Sequence, residues 1–192
     1  MRRMRSDPRD GWERIIESQG LAFHRSAHPE GLARPYWDES VHYVFTMDEV
    51  LELEAQVEEL HRMCFAAADH IVATGRFSDL GIPPHCHAAV AESWRRRDPH
   101  LYGRFDLHYD GTGPVKLLEY NADTPTSLVE SSIVQWYWLR DVYPEEDQWN
   151  SIHERLVDRW ASLPLPEGPV HFAWTSADLT GEEVMTIGYL QE

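Results

Sequence analysis

The sequence predicts a mixed fold of the α+β or α/β class, in which helices flank a β-hairpin. A capping box opens a long amphipathic helix at Thr46. Turn-forming residues separate two strand-like runs within 103–122, and the second run leads directly towards a helix N-terminus. In a chain of 192 residues, such a mixture indicates one compact core or two small ones.

The N-terminal quarter predicts one short helix followed by irregular structure. Asp7 is suited to cap a helix, Pro8 to occupy its first position and Gly20 to end it. The segment 23–45 is rich in turn formers and aromatic residues and has no long helical period. We therefore expect a loop with short strands there.

The long helix begins with the capping box of Thr46 and Glu49 and ends at Gly75. Its apolar residues recur three, four or seven positions apart and include Cys64, which we expect to be buried. The stripe would also fit a coiled-coil seam, but it is brief, which favours packing on the domain's own core. A further helix is predicted over 84–97.

The region 103–122 predicts a β-hairpin. Two strand-like runs, Gly103–Tyr109 and Val115–Ala122, flank a turn over 110–114 that contains Asp, Gly and Pro. A connection of this length joins antiparallel strands.

Four further elements and one domain boundary are predicted towards the C-terminus. The elements are a helix from Thr124 or Ser127 to Arg140, a helix over 145–163, a strand over 170–174 and a helix opened by Thr180 and Glu183. The Pro-rich stretch near Pro164 suggests a first region, 1–163, and a C-terminal region, 164–192. We expect the C-terminal region to be the start of a further α/β segment, truncated before a return strand.

The charge balance excludes several classes of partner. The chain has 17 Lys and Arg against 33 Asp and Glu, a formal net charge of −16, which repels nucleic acid and anionic membranes.

No apolar run reaches the roughly 18–20 residues of a membrane span. Two cysteines are too few for a secreted disulfide scaffold, so we expect reduced thiols and a cytoplasmic protein.

Four polar residues of the predicted hairpin are candidates for a metal site. Because side chains alternate along a strand, Arg104 and Asp106 share one face, as do Glu119 and Asn121. A turn centred near Thr112 would pair Asp106 with Glu119 and Arg104 with Asn121. Neighbours across a pair lie within about 5.5 Å, and the carboxylate and amide oxygens suit Mg²⁺ or Mn²⁺.

The helix after the hairpin adds donors for an anion. Its N-terminal N–H groups, together with the hydroxyls of Thr124, Thr126 and Ser127, suit a phosphate group. Arg104 would offset charge on a transferred phosphoryl group. Spacing alone also permits the four hairpin residues to form ordinary ion pairs on a solvated face. A glycosidase pair of Asp106 and Glu119 fits less well, because inverting enzymes need carboxyls about 6.5–9.5 Å apart.

Two other polar motifs are weaker indications of a functional site. The run His85-Cys86-His87 lacks the further ligands that a closed zinc site requires. Asp38 and Glu39 could reach the site and bind a cationic amine, but a solvated turn is the simpler interpretation.

Two motifs resemble a known family. The run Lys116-Leu-Leu-Glu-Tyr-Asn-Ala-Asp-Thr-Pro-Thr-Ser127, preceded by Tyr102-Gly-Arg-Phe-Asp106, resembles the synthetase domain of glutathionylspermidine synthase and its single-domain relatives. Pro35-Tyr-Trp-Asp-Glu39 and Val134-Gln-Trp-Tyr-Trp138 extend the likeness from about residue 10 to the end.

The resemblance implies an ATP-grasp-like fold and a ligase that uses ATP to activate a carboxylate for attack by an amine. It implies that Asp106, Glu119 and Asn121 are Mg²⁺ ligands and that Arg104 contacts phosphate. Thr124 and Thr126 fall where the family has small hydroxyl residues. The family's nucleotide-binding lysines lie beyond the end of this sequence, which therefore resembles the N-terminal part of the synthetase and is expected to be inactive alone. A non-catalytic module that binds a cation or peptide is the alternative.

Overall fold

The computed structural model describes residues 1–26, 34–123, 125–165 and 167–192. These residues form six α-helices and three two-stranded sheets, which confirms a mixed α/β fold. They divide into two compact units. Unit 1 contains Met1–Phe45, Tyr102–Arg104 and Tyr120–Glu192, and unit 2 contains Thr46–Leu101 and Phe105–Glu119.

The N-terminal part of unit 1 contains two antiparallel strand pairs and a short helix. Strand β1 (Arg2–Arg5) pairs with β4 (Val41–Val44), and β2 (Arg25–Ser26) with β3 (Arg34–Pro35). Short strands within 23–45 are thus confirmed, whereas β1 was not predicted.

Helix α1 (Trp12–Ser18) begins later than predicted. Gly11 precedes it in the left-handed conformation (φ 67°). The predicted start after Asp7 is wrong because the chain there is held by a distant acid. The backbone N–H and guanidinium of Arg9 both donate to the Glu39 carboxylate.

The core of unit 1 joins residues from distant parts of the chain. Ile16 and Leu21 pack with Val129 and Val134, and all four are buried. Five partly buried residues surround them, namely Trp12, Phe23, Trp37, Met185 and Tyr189. Residues near both ends of the chain therefore contribute to one apolar cluster.

A helix with an irregular first turn follows the hairpin. A π-helical segment (Glu130–Val134) continues into α4 (Gln135–Val142), so the predicted helix ending near Arg140 is present. It places Val134 in the core and exposes Tyr137.

Among its described residues, the segment 145–174 contains one helix and no paired strand. Helix α5 (Ile152–Ser162) is shorter than predicted, because 145–151 is irregular and the Asn150 side chain accepts from the Ile152 N–H. The predicted strand 170–174 is wrong: no strand among the described residues pairs with it, and Phe172 packs near Trp160.

Helix α6 (Glu182–Gln191) is present, but its cap differs from the predicted one. The Asp178 carboxylate, not the box of Thr180 and Glu183, accepts most of the N-terminal N–H groups. Its distances to the N–H groups of Gly181, Glu183 and Val184 are 2.9, 2.9 and 3.3 Å.

Unit 2 contains the long helix α2 (Met47–Thr74) and α3 (His87–Arg96). The capping box of Thr46 and Glu49 and the left-handed Gly75 confirm both predicted ends of α2. Cys64 is half-buried rather than buried, because the apolar stripe of α2 is only partly covered. Two 3₁₀ turns, Phe77–Leu80 and Pro84–Cys86, connect α2 to α3.

The predicted hairpin consists of β5 (Arg104–His108) and β6 (Lys116–Asn121), which pair with each other. Their connection is too short for a parallel crossover, so the pair is antiparallel. The predicted boundary near Pro164, between 1–163 and 164–192, stays a prediction. Within the described ranges, no helix combines the length and apolarity needed to span a bilayer.

Candidate functional site

The start of β5 lies close to the end of β6. A Cβ atom on Gly103 would stand 2.8 Å from Tyr120 Cε2 and 3.3 Å from the Asn121 carbonyl oxygen. Only a residue without a side chain allows this approach. Gly103 thereby lets Tyr102 and Arg104, on either side of it, reach the loop that leads to the next helix.

Arg104 and Thr126, two predicted site residues, are in direct contact. Arg104 Nη1 donates to Thr126 Oγ1 at 3.2 Å and to the Thr126 carbonyl at 3.3 Å. Both residues belong to unit 1, so this contact lies within that unit. A guanidinium beside a hydroxyl is a donor combination that binds phosphate or carboxylate oxygens.

The loop residue Ser127 has an unusual backbone. Its φ of 74° lies in the left-handed region, which costs a non-glycine residue about 1–3 kcal/mol. The Ser127 carbonyl accepts from the Ser131 N–H at 3.3 Å and from the Ser131 hydroxyl at 2.7 Å. The π-helical segment begins three residues later, and such segments are frequent at functional sites.

Two tyrosines contact this loop. The Tyr102 hydroxyl donates to the Pro125 carbonyl, and the Tyr36 hydroxyl donates to Glu130 Oε1 at 2.7 Å. Burial raises the pKa of Tyr102 to about 12, although the charge of Arg104 opposes the rise. Burial, followed by the Glu130 carboxylate, also raises the pKa of Tyr36, while Ser127 lowers it.

The predicted metal ligands lie on the paired strands. Asp106 and Asn121 are half-buried, and Glu119 is exposed. Asp106 and Glu119 belong to unit 2 and Asn121 to unit 1, and the pairing of Asp106 with Glu119 stays a prediction. No cluster of three or more His, Cys, Asp or Glu residues suited to a metal ion occurs in the described ranges. Thr124 lies outside the described residues.

Asp38 lies in a solvated turn as predicted, whereas the Glu39 side chain is buried. Asp38 accepts from the N–H and hydroxyl of Ser40, as in an ordinary turn. Glu39 is only 2% exposed and pairs with Arg9 at 2.5 Å. Glu39 is thus committed to a buried ion pair, which argues against its binding an amine.

The tyrosines are functional candidates that the sequence interpretation did not identify. Tyr102 and Tyr36 stand within the two family-like motifs, Tyr102-Gly-Arg-Phe-Asp106 and Pro35-Tyr-Trp-Asp-Glu39. Their membership in those motifs was the available indication.

Comparison with known proteins identifies the family. The glutathionylspermidine synthase preATP-grasp family matches residues 3–192. A putative acid–amine ligase of Haemophilus influenzae is 38% identical over 150 residues, which cover 77% of this chain and 38% of that protein. Glutathionylspermidine synthase of Crithidia fasciculata is 32% identical over 93 residues, covering 46% and 13% of the two chains.

The bifunctional glutathionylspermidine synthetase/amidase of Escherichia coli is 31% identical over 104 residues, covering 53% of this chain and 17% of that protein. The matched regions therefore span well under half the length of these relatives. The match over residues 3–192 includes the hairpin, the loop and both tyrosines, and the chain belongs to the glutathionylspermidine synthase preATP-grasp family.

Proposed function

We propose that this chain is part of an ATP-dependent carboxylate–amine ligase. In this reaction ATP phosphorylates a peptide-like carboxylate, and an amine then displaces phosphate to form an amide bond. The observation that carries the proposal is membership of the preATP-grasp family over residues 3–192. The relatives are named acid–amine ligase and glutathionylspermidine synthase, which supports the same class of chemistry.

A divalent cation, Mg²⁺ or Mn²⁺, would be held by Asp106, Glu119 and Asn121. Two carboxylates and an amide oxygen are the hard ligands that these ions take, so the donor chemistry of the hairpin fits. When bound, the cation would neutralise charge on phosphate oxygens.

Arg104, Thr126 and Ser127, with Thr124, would bind the anionic groups of ATP or of the activated carboxylate. The hydrogen bonds of Arg104 to Thr126 support this role, because they bring two donors to one loop. Arg104 would orient a phosphoryl oxygen and offset the charge that develops on it. We therefore assign Arg104 the catalytic role and the hydroxyl residues a role in binding.

The metal assignment can be tested on the 192-residue chain itself by titration with Mn²⁺, followed by electron paramagnetic resonance. We expect Asp106→Asn and Glu119→Gln each to weaken Mn²⁺ binding more than about tenfold, since each removes a charged ligand from a hard cation. Asp110→Asn is the matched control, because Asp110 lies in the hairpin loop and accepts from the Thr112 N–H. Equal binding by all three variants would contradict the assignment.

The ligase reaction is tested in a longer protein in which this chain is continued by an ATP-grasp region. Asp106→Ala and Glu119→Ala should abolish Mg²⁺-dependent ADP formation, whereas Cys86→Ser should not change it. Cation binding without ATP turnover in that protein would favour the alternative, a non-catalytic binding module.

A further inference from the structure

The segment 125–130 is held from two sides by phenol hydroxyls. Tyr102, just before β5, donates to the carbonyl of Pro125, at the start of the segment. Tyr36, near the N-terminus, donates to the carboxylate of Glu130, at the segment's end. Thr126 and Ser127 lie between these two attachment points, and all of these residues belong to unit 1.

The segment needs such attachment because its backbone is strained at Ser127. A non-glycine residue with φ 74° persists only when its surroundings hold it there. Downstream, the π-helical segment departs from regular α-helical hydrogen bonding. Regular helix geometry therefore does not by itself fix the positions of Thr126 and Ser127.

Both phenols remain hydrogen-bond donors at neutral pH. The pKa of Tyr102 is raised to about 12 by burial, and the pKa of Tyr36 is also raised, first by burial and then by Glu130. Neither contact is therefore lost through ionisation in the physiological range.

We propose that Tyr102 and Tyr36 are positioning residues, which hold segment 125–130 so that the Thr126 and Ser127 hydroxyls and Arg104 converge on one anionic group. This inference rests on the proposed function, because it assumes that the anion is a phosphate or carboxylate bound at the loop. In this role the tyrosines act through the loop that they hold.

The experiment uses the whole 192-residue chain with Tyr102→Phe, Tyr36→Phe and the control Tyr137→Phe. Tyr137 is an exposed tyrosine on α4 in the same unit, so its variant removes a phenol hydroxyl away from the loop. Hydrogen exchange is measured for peptides that cover 125–130 and, as an internal reference, α1. Binding of inorganic phosphate is measured by calorimetric titration.

We expect Tyr102→Phe to accelerate exchange in 125–130 about fivefold, the effect of losing one hydrogen bond, and to leave α1 unchanged. Phosphate binding should weaken by a similar factor. Tyr36→Phe should give the same pattern and provides a second test if Tyr102→Phe does not fold. Tyr137→Phe should change neither quantity.

The outcomes separate this inference from the proposed function. Unchanged exchange at 125–130 in both variants overturns the positioning role, as does equal acceleration by Tyr137→Phe or in α1. Faster exchange in the loop of a chain that binds no phosphate supports the positioning of the segment but counts against the anion site of the proposed function.

Discussion

Gly103 is the residue at which a single methyl group should disturb the site most. A Cβ atom there would lie 2.8 Å from the ring of Tyr120 and 3.3 Å from a backbone oxygen, and the backbone cannot move as a side chain can. We expect Gly103→Ala to lower the free energy of unfolding by about 1–3 kcal/mol, as overpacking does. Urea denaturation measures the change.

Gly188→Ala is the matched control for that substitution. Gly188 lies in α6, with no heavy atom within 4 Å of its added Cβ, so alanine should be neutral or stabilising there by up to about 1 kcal/mol. If both variants lost the same free energy, the close contact of Gly103 would not be the cause.

At the level of single residues, the sequence indicates candidate site residues better than it indicates their partners. Arg104 and Thr126 were both predicted as site residues, and they are in contact. The prediction for Glu39 was wrong because its partner, Arg9, stands 30 positions upstream and no local pattern connects them. Tyr36 was missed for a similar reason, since Glu130 is 94 positions away.

Among the secondary-structure elements, α6 depends on one carboxylate at its N-terminus. Asp178 accepts from the N–H groups of Thr180, Gly181, Glu183 and Val184. Asp178→Ala should destabilise the helix, because the N–H groups at its N-terminus lose their side-chain acceptor. Hydrogen exchange of residues 182–191 would report the loss, and Thr180→Ala should have a smaller effect.

The stability that the Asp178 cap contributes should depend on pH. Desolvation, the largest single contribution, raises the pKa of Asp178, but hydrogen bonds from Thr180 and the backbone together outweigh it and lower the pKa. A lowered pKa stabilises the fold above the ordinary pKa of the carboxyl and loses that effect as pH falls. The difference between the wild-type chain and Asp178→Ala should therefore shrink below about pH 4.

Elements with local determinants were predicted best. Both ends of α2 follow from a capping box and a left-handed glycine, which act within a few residues. The predicted strand 170–174 failed because a strand requires a partner, and the apolar alternation of Val170, Phe172 and Trp174 does not supply one. Helix α5 started late because Asn150, whose amide donates to the Ser131 carbonyl, holds the preceding segment in irregular structure.

For the whole chain, the core of unit 1 provides a test of the predicted boundary near Pro164. Ile16 is fully buried and packs with Val129 and Val134, and Met185 lies against this cluster from α6. Ile16→Ala should cost about 2–5 kcal/mol through lost burial and a residual cavity. Typical domains have a free energy of unfolding of only about 5–15 kcal/mol. A loss of this size should therefore accelerate hydrogen exchange in every segment that shares the core.

Hydrogen exchange should therefore accelerate in both α1 and α6 of Ile16→Ala, although the two helices are far apart in sequence. Leu179→Ala is the control, since Leu179 is 98% exposed and contributes nothing to the core. If 164–192 were instead a separate segment, as the proline-rich stretch predicts, α6 would keep its wild-type exchange rates while α1 lost protection. Acceleration in both helices would place residues 182–191 in the same cooperative core as residues 12–18.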